Sequence, residues 1–116
     1  MPKIKIKAEI INNSDKQTIE TDAILQNDIL KYLENDNTKV VLNLEDKTLI
    51  RENDKIKMYY SFSNNKGLIE IKEFNKIVDL DIKVKEVKRN GNNIRVNYEI
   101  EKDEFTYQVG EIKWVY

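Results

Sequence analysis

The stretch Lys55-Ile56-Lys57-Met58-Tyr59-Tyr60-Ser61-Phe62-Ser63 decides the fold. Ile56, Met58, Tyr60 and Phe62 share one side of an extended chain, and Lys57, Tyr59, Ser61 and Ser63 share the other. A period of two is the signature of a strand with one dry and one wet face. A helix would scatter these apolar residues around its circumference.

The same alternation continues on both sides. Toward the C-terminus, Asn64-Asn65-Lys66-Gly67 is a turn, with Gly67 expected at positive φ. Gly67–Lys72 is a strand, Phe74-Asn75-Lys76 a break or bulge, and Ile77–Val87 a long strand carrying Leu80, Ile82 and Val84 on one face. Asn90-Gly91 is a strong hairpin signal. Ile94–Glu101 sets Ile94, Val96, Tyr98 and Ile100 against Arg95, Asn97, Glu99 and Glu101. Lys102-Asp103-Glu104 turns into Phe105–Tyr116, whose apolar phase switches near Gly110, and a glycine there suggests a bulge or barrel corner.

Toward the N-terminus, Thr48–Glu52 and Thr38–Glu45 are strands separated by Asp46-Lys47, and Asn35-Asp36-Asn37 is a turn. Asp22–Asn35 reads two ways. As a helix, Asp22 caps a stripe of Leu25, Ile29 and Leu33; as sheet, Gln26-Asn27-Asp28 turns a hairpin into a strand at Ile29–Glu34. Gln17–Leu25 and Lys3–Ile10 are strands flanking Asn12-Asn13-Ser14-Asp15. The sum is roughly ten short strands with short polar connections, which predicts an antiparallel meander. Closure into a barrel removes the exposed edges of such a sheet. The expectation is one all-β domain over residues 1–116, an antiparallel up-and-down barrel of about eight to ten strands.

Composition excludes several chemistries. The chain has no Cys and no His. Disulfides, thiolate metal sites, cysteine nucleophiles and Ser-His-Asp triads are therefore impossible. The commonest general base and metal ligand are missing, so an enzyme is not expected, nor is a cofactor. Charged residues make up 35% of the chain, yet the formal net charge is −1. Charge of that balance favours neither nucleic acid nor an acidic membrane. No apolar run approaches the roughly 20 residues of a spanning helix. The Lys/Ile alternation at the start is unlike a secretory signal. A cytoplasmic location is the expectation.

With the strands placed, the chain resembles the YwiB-like family of calycin-like β-barrel proteins, a bacterial family without an agreed activity. The resemblance rests on Leu30–Glu34 (Leu-Lys-Tyr-Leu-Glu), Val41–Arg51, Lys57-Met58, Gly67–Ile71 and Ile94–Ile100 (Ile-Arg-Val-Asn-Tyr-Glu-Ile). It implies a lipocalin-like barrel and favours the hairpin reading of Asp22–Asn35. Glu52 and Asn53 stand where the family often has glycine after the arginine, so the loop there departs from the family pattern. The family supplies no catalytic residues to carry over.

A barrel of this size holds packed side chains or one small molecule. Met58, Tyr60, Phe62, Tyr98, Tyr107 and Trp114 are candidate lining residues for a small apolar or amphipathic ligand; the competing reading is core filling. Arg51, at a strand end, is a candidate anchor for a carboxylate or phosphate, against a structural role pairing with Glu or Asp. Asp79 with Asp81, and Glu99 with Glu101, are paired carboxylates interleaved with lysines, which reads as a solvated face rather than a metal site. Lys3, Lys5 and Lys7 form a basic strip that, with Tyr59 or Trp114, resembles a single-strand nucleic-acid platform, but lysine on an edge or outer face, protecting against strand addition, is the simpler account. Ser61 and Ser63 read as outer-face residues without an activating base. Two function classes follow: a small-ligand barrel, or a non-catalytic interaction scaffold. Neither nucleic acid nor membrane is expected as a partner, and monomer and homodimer both fit.

Overall fold

Alternation of side chains becomes ten strands in a computed structural model that describes residues 3–34, 37–102 and 105–116. The side chains of residues 102–108 lie outside that description. The strands are β1 (Lys3–Asn12), β2 (Asp15–Gln26), β3 (Ile29–Leu33), β4 (Lys39–Asn43), β5 (Thr48–Glu52), β6 (Ile56–Ser61), β7 (Lys66–Ile71), β8 (Lys76–Asn90), β9 (Asn93–Lys102) and β10 (Phe105–Val115). Each pairs antiparallel with its sequence neighbours, and β10 returns to pair with β1, giving a closed up-and-down barrel. The β1–β10 seam places Ala8 opposite Trp114 and Ile10 opposite Ile112. β1 pairs with β2 along its whole length but with β10 only from Lys7 to Asn12, so Lys7 stands on the outer wall while Lys3 and Lys5 lie on the part of β1 paired on one side, as lysines that guard an edge or outer face would.

The hairpin reading of Asp22–Asn35 is the observed one. Gln26 pairs with Ile29 across Asn27 and Asp28, both at positive φ (53° and 62°). Two left-handed residues in a two-residue loop match the right-handed twist of the flanking strands. Asparagine does this work repeatedly. Asn13, Asn27, Asn37, Asn65 and Asn75 all sit at positive φ, a region its short polar side chain tolerates.

Two local expectations need correction, and a third is made specific. Positive φ after β6 falls on Asn65 (56°), while Gly67 is a strand residue of β7. The break expected at Phe74 is there, as a single 3₁₀ turn, Lys72–Phe74, closed by Asn75 at φ 49°. Gly110 is no bulge: it continues the inward phase of Ile112 and Trp114, and the register shift of β10 lies between Thr106 and Gln108. A second shift lies in β8 between Val84 and Glu86. An extra residue on one strand reverses the inward phase and sharpens the bend, which explains the switch in the sequence pattern.

Both strand glycines solve a packing problem. Gly67 pairs with Tyr60, and Gly110 pairs with Tyr98. A Cβ at Gly110 would lie 2.4 Å from Tyr98 Cζ, and one at Gly67 would lie 2.6 Å from Ile82 Cδ1. Each large inward side chain thus lies over the backbone of a strand neighbour that has no side chain of its own.

Candidate functional site

The interior is one apolar cluster drawn from nine of the strands or their ends, with Ile69 of β7 packed against it. It includes Ile6, Ile19, Leu30, Val40, Leu49, Phe62, Ile82, Val96 and Trp114, among others. Of the predicted lining residues, Tyr60, Phe62, Tyr98 and Trp114 are 5%, 4%, 3% and 1% exposed. Met58 packs against them and is only partly buried. Tyr107 was the sixth candidate, and its side chain lies outside the described residues. A hollow wide enough for a ligand would leave its lining open to water. The near-complete burial of these four rings is what close packing against neighbours gives.

Tyr60, Phe62 and Tyr98 form a triangle of tilted rings with centroids 5.8–6.3 Å apart, a favourable separation and geometry for aromatic contacts. On the other side, Trp114 Nε1 donates to Tyr32 Oη at 2.8 Å, tying β10 to β3 across the interior. Tyr60 Oη contacts Met58 Sδ at 3.5 Å. Burial pushes the Tyr32 hydroxyl up to about 12, partly offset by the bond from Trp114. Tyr60 and Tyr98 are likewise raised by burial, with the Arg51 charge opposing.

At Arg51 the interior takes in charge. This residue faces inward, opposite Val40 on β4 and Met58 on β6. Its Nε donates to Glu34 Oε1 at 2.8 Å and its Nη2 to Glu34 Oε2 at 3.0 Å, a two-pronged pair with geometric fit. The Glu34 side chain is 2% exposed and that of Arg51 20%. Glu34 was not singled out from the sequence. The available signal was its phase: Leu30, Tyr32 and Glu34 share a face, so a carboxylate stands where alternation demands an apolar residue. Beside the pair, Asn53 Nδ2 donates to Thr38 Oγ1 at 3.2 Å, and Lys72 Nζ reaches both Glu52 and the Asn53 carbonyl. These contacts bind the β3–β4, β5–β6 and β7–β8 connections at one end of the barrel.

Other candidates separate. Asp81 lies opposite Glu101 and Lys66, and Lys85 reaches Glu99 at 3.7 Å; no cluster that could hold a metal ion occurs among the described residues. Trp114 is interior, so it offers no stacking face beside Lys3, Lys5 and Lys7. Ser61, expected on the outer face, is 3% exposed and accepts from Asn64 Nδ2 in the turn that folds over it.

The most apolar of the surface hollows lies on the outer wall. A groove of about 480 Å³ crosses β2, β3 and β4, with Ile24, Leu33 and Val41 facing outward and Lys3, Lys31, Lys39 and Asp22 around them. Ile24 pairs with Lys31, and Lys31 with Val41. From Val41 the row runs through Ile50 and Tyr59 to Leu68 on successive strands. This outward apolar row is absent from the alternation as read strand by strand, because it emerges only when the strands are laid in register. No helix of the described chain is long and apolar enough to cross a membrane. No protein-family model matches the chain, and neither a curated protein nor a solved structure matches it.

Proposed function

We propose that the protein is a non-catalytic interaction module, a calycin-like barrel of the YwiB-like kind whose filled interior holds the wall rigid and whose outer wall meets a partner. The observation that carries this reading is the contrast between the two faces: the interior aromatics are nearly inaccessible, whereas the outer wall of β2–β4 carries an open apolar groove. Concave, largely apolar surfaces of this size are the usual form of a binding site. Interior grease and outer charge support a water-facing barrel, the reverse of a membrane barrel, in keeping with a cytoplasmic location.

A second reading keeps the small amphipathic ligand. Inward-facing Met58, Ile69 and Val78 remain partly exposed at the Arg51 end. An acidic head group there would compete with Glu34 for the Arg51 fork.

Affinity capture from lysate with the wild-type chain and a Val41→Asp variant tests the first reading. A partner retained by the wild type and lost by the variant is expected. Equal capture by both, or none, counts against it. Native mass spectrometry of the purified protein addresses the second, where a co-purifying small molecule absent from an Arg51→Met variant is the supporting result.

A further inference from the structure

From the groove on β2–β4 we infer that the partner presents an acidic segment with large apolar side chains, docked as a helix or projecting loop between Lys3, Lys31 and Lys39. The inference rests on the docking reading above and names the chemistry of the occupant. Three lysines and one aspartate border the groove, a local balance of 3 − 1 = +2 in a chain whose formal net charge is −1. Among the described residues no carboxylate forms an ion pair with Lys3, Lys31 or Lys39. Lys39 lies opposite Glu52, but that carboxylate is held by Lys72 at 2.8 Å. The cations around Ile24, Leu33 and Val41 are therefore available to an incoming anion, and complementary charge around an apolar centre selects partner and register.

Other occupants fit less well. A second copy docked through the same face would set these lysines against their own symmetry mates, a like-charge arrangement. A bilayer takes up a broad protruding apolar face, whereas here Leu33 alone stands out, at 50% exposed, and Ile24 and Val41 are half-buried beside it. A small amphipathic anion would stay largely uncovered in an open groove, while bound small molecules are mostly enclosed. An added β-strand has no place to pair at the centre of the groove, because Ile24, Lys31 and Val41 each already have a partner on both sides.

The test uses three synthetic peptides of about 15 residues, long enough for marginal helicity. One carries Leu and Phe at helical spacing with Glu elsewhere, the second replaces every Glu with Lys, and the third keeps Glu but replaces Leu and Phe with Gln. Each is titrated into isotopically labelled protein, and the amide shifts of Ile24, Lys31, Leu33, Lys39 and Val41 are followed. The acidic apolar peptide should move these amides, with affinity at least about tenfold above the other two at low salt and falling as salt rises. The Lys31→Glu/Lys39→Glu variant should lose about tenfold for it and prefer the lysine peptide, with thermal unfolding unchanged to show that the fold survives. Equal occupancy of the groove by acidic and basic peptides overturns the charge assignment while leaving the docking surface in place. Failure of every peptide to perturb the groove overturns the inference, and together with unchanged capture by Val41→Asp it removes the docking reading as well.

Discussion

Glu34 and Arg51 show how much one interior pair constrains a small barrel. The two-pronged bond satisfies a carboxylate that is otherwise cut off from water. Removing one partner leaves the other charge uncompensated, whereas replacing both with apolar residues removes the problem. Arg51→Ala and Glu34→Ala should each cost about 3–5 kcal/mol, and Glu34→Leu/Arg51→Met should lie close to wild type or above it. Urea unfolding of the four proteins checks this; additive single losses would show that the pair is not coupled. Gly110 makes a sharper steric demand than Gly67. A Cβ at Gly110 meets a tyrosine ring wedged against Tyr60 and Phe62, while one at Gly67 meets the movable tip of Ile82. Gly110→Ala should therefore destabilise by about 1–3 kcal/mol, more than Gly67→Ala, and the loss should shrink in a Tyr98→Leu background. Chemical denaturation curves would contradict the steric account if the background made no difference.

At the scale of elements, short polar turns set the strand order, and their side chains also tie separate hairpins together. Asn13 closes the β1–β2 turn at φ 55°. Its N–H donates to the Val109 carbonyl at 2.8 Å, and its Oδ1 accepts from the Val109 N–H at 3.1 Å. A residue of the first turn thus extends the ladder of the last strand and helps hold the seam. Glycine at this position keeps the backbone angle but loses the side-chain bond; alanine loses both. The expected order of stability is wild type, then Asn13→Gly, then Asn13→Ala, with about 1–2 kcal/mol separating the first from the last. Thermal unfolding of the three proteins reads it directly, and an alanine variant as stable as wild type would remove the asparagine from this role. The apolar phase change in β10 also belongs here. It is legible as an irregularity, and glycine, the usual marker of a bulge, points to Gly110, whereas the register shift lies between Thr106 and Gln108.

For the whole molecule, closure buries three tyrosine hydroxyls in one interior. Burial raises Tyr32 from an ordinary value of 10 to about 12, and raises Tyr60 and Tyr98 as well. Each must stay protonated in the folded state, while the unfolded chain releases the proton near pH 10. Above that pH the unfolded state holds fewer protons, so stability falls as pH rises. The contribution is intact below pH 10 and is lost progressively as pH climbs toward 12 and beyond. Three such groups give a steep loss, up to about 1.4 kcal/mol per pH unit for each. Circular dichroism and tyrosinate absorbance recorded together should show the buried tyrosines ionising only as the barrel unfolds. Tyrosinate formation at pH 10 for all six tyrosines with the fold intact would sink the prediction.

Side-chain alternation determined that the chain is mainly β, where most strands begin and end, and which side of most faces inward, since the period of two is a local property that survives without knowledge of neighbours; Asp22–Asn35, which also fits a helical stripe, is left open by it. The absence of His and Cys likewise bounded the chemistry before any coordinate was seen. Tertiary structure decided the rest, because these properties depend on which strands become neighbours. It decided that Glu34 meets Arg51, that Tyr98 lies over Gly110, and that Tyr60, Phe62 and Tyr98 meet ring to ring. It also decided that Ile24, Val41, Ile50, Tyr59 and Leu68, each an isolated exception on its own strand, line up around the outer wall. Register converts scattered outward apolar residues into a surface, and register is set by turns and closure, beyond the reach of any single strand's pattern.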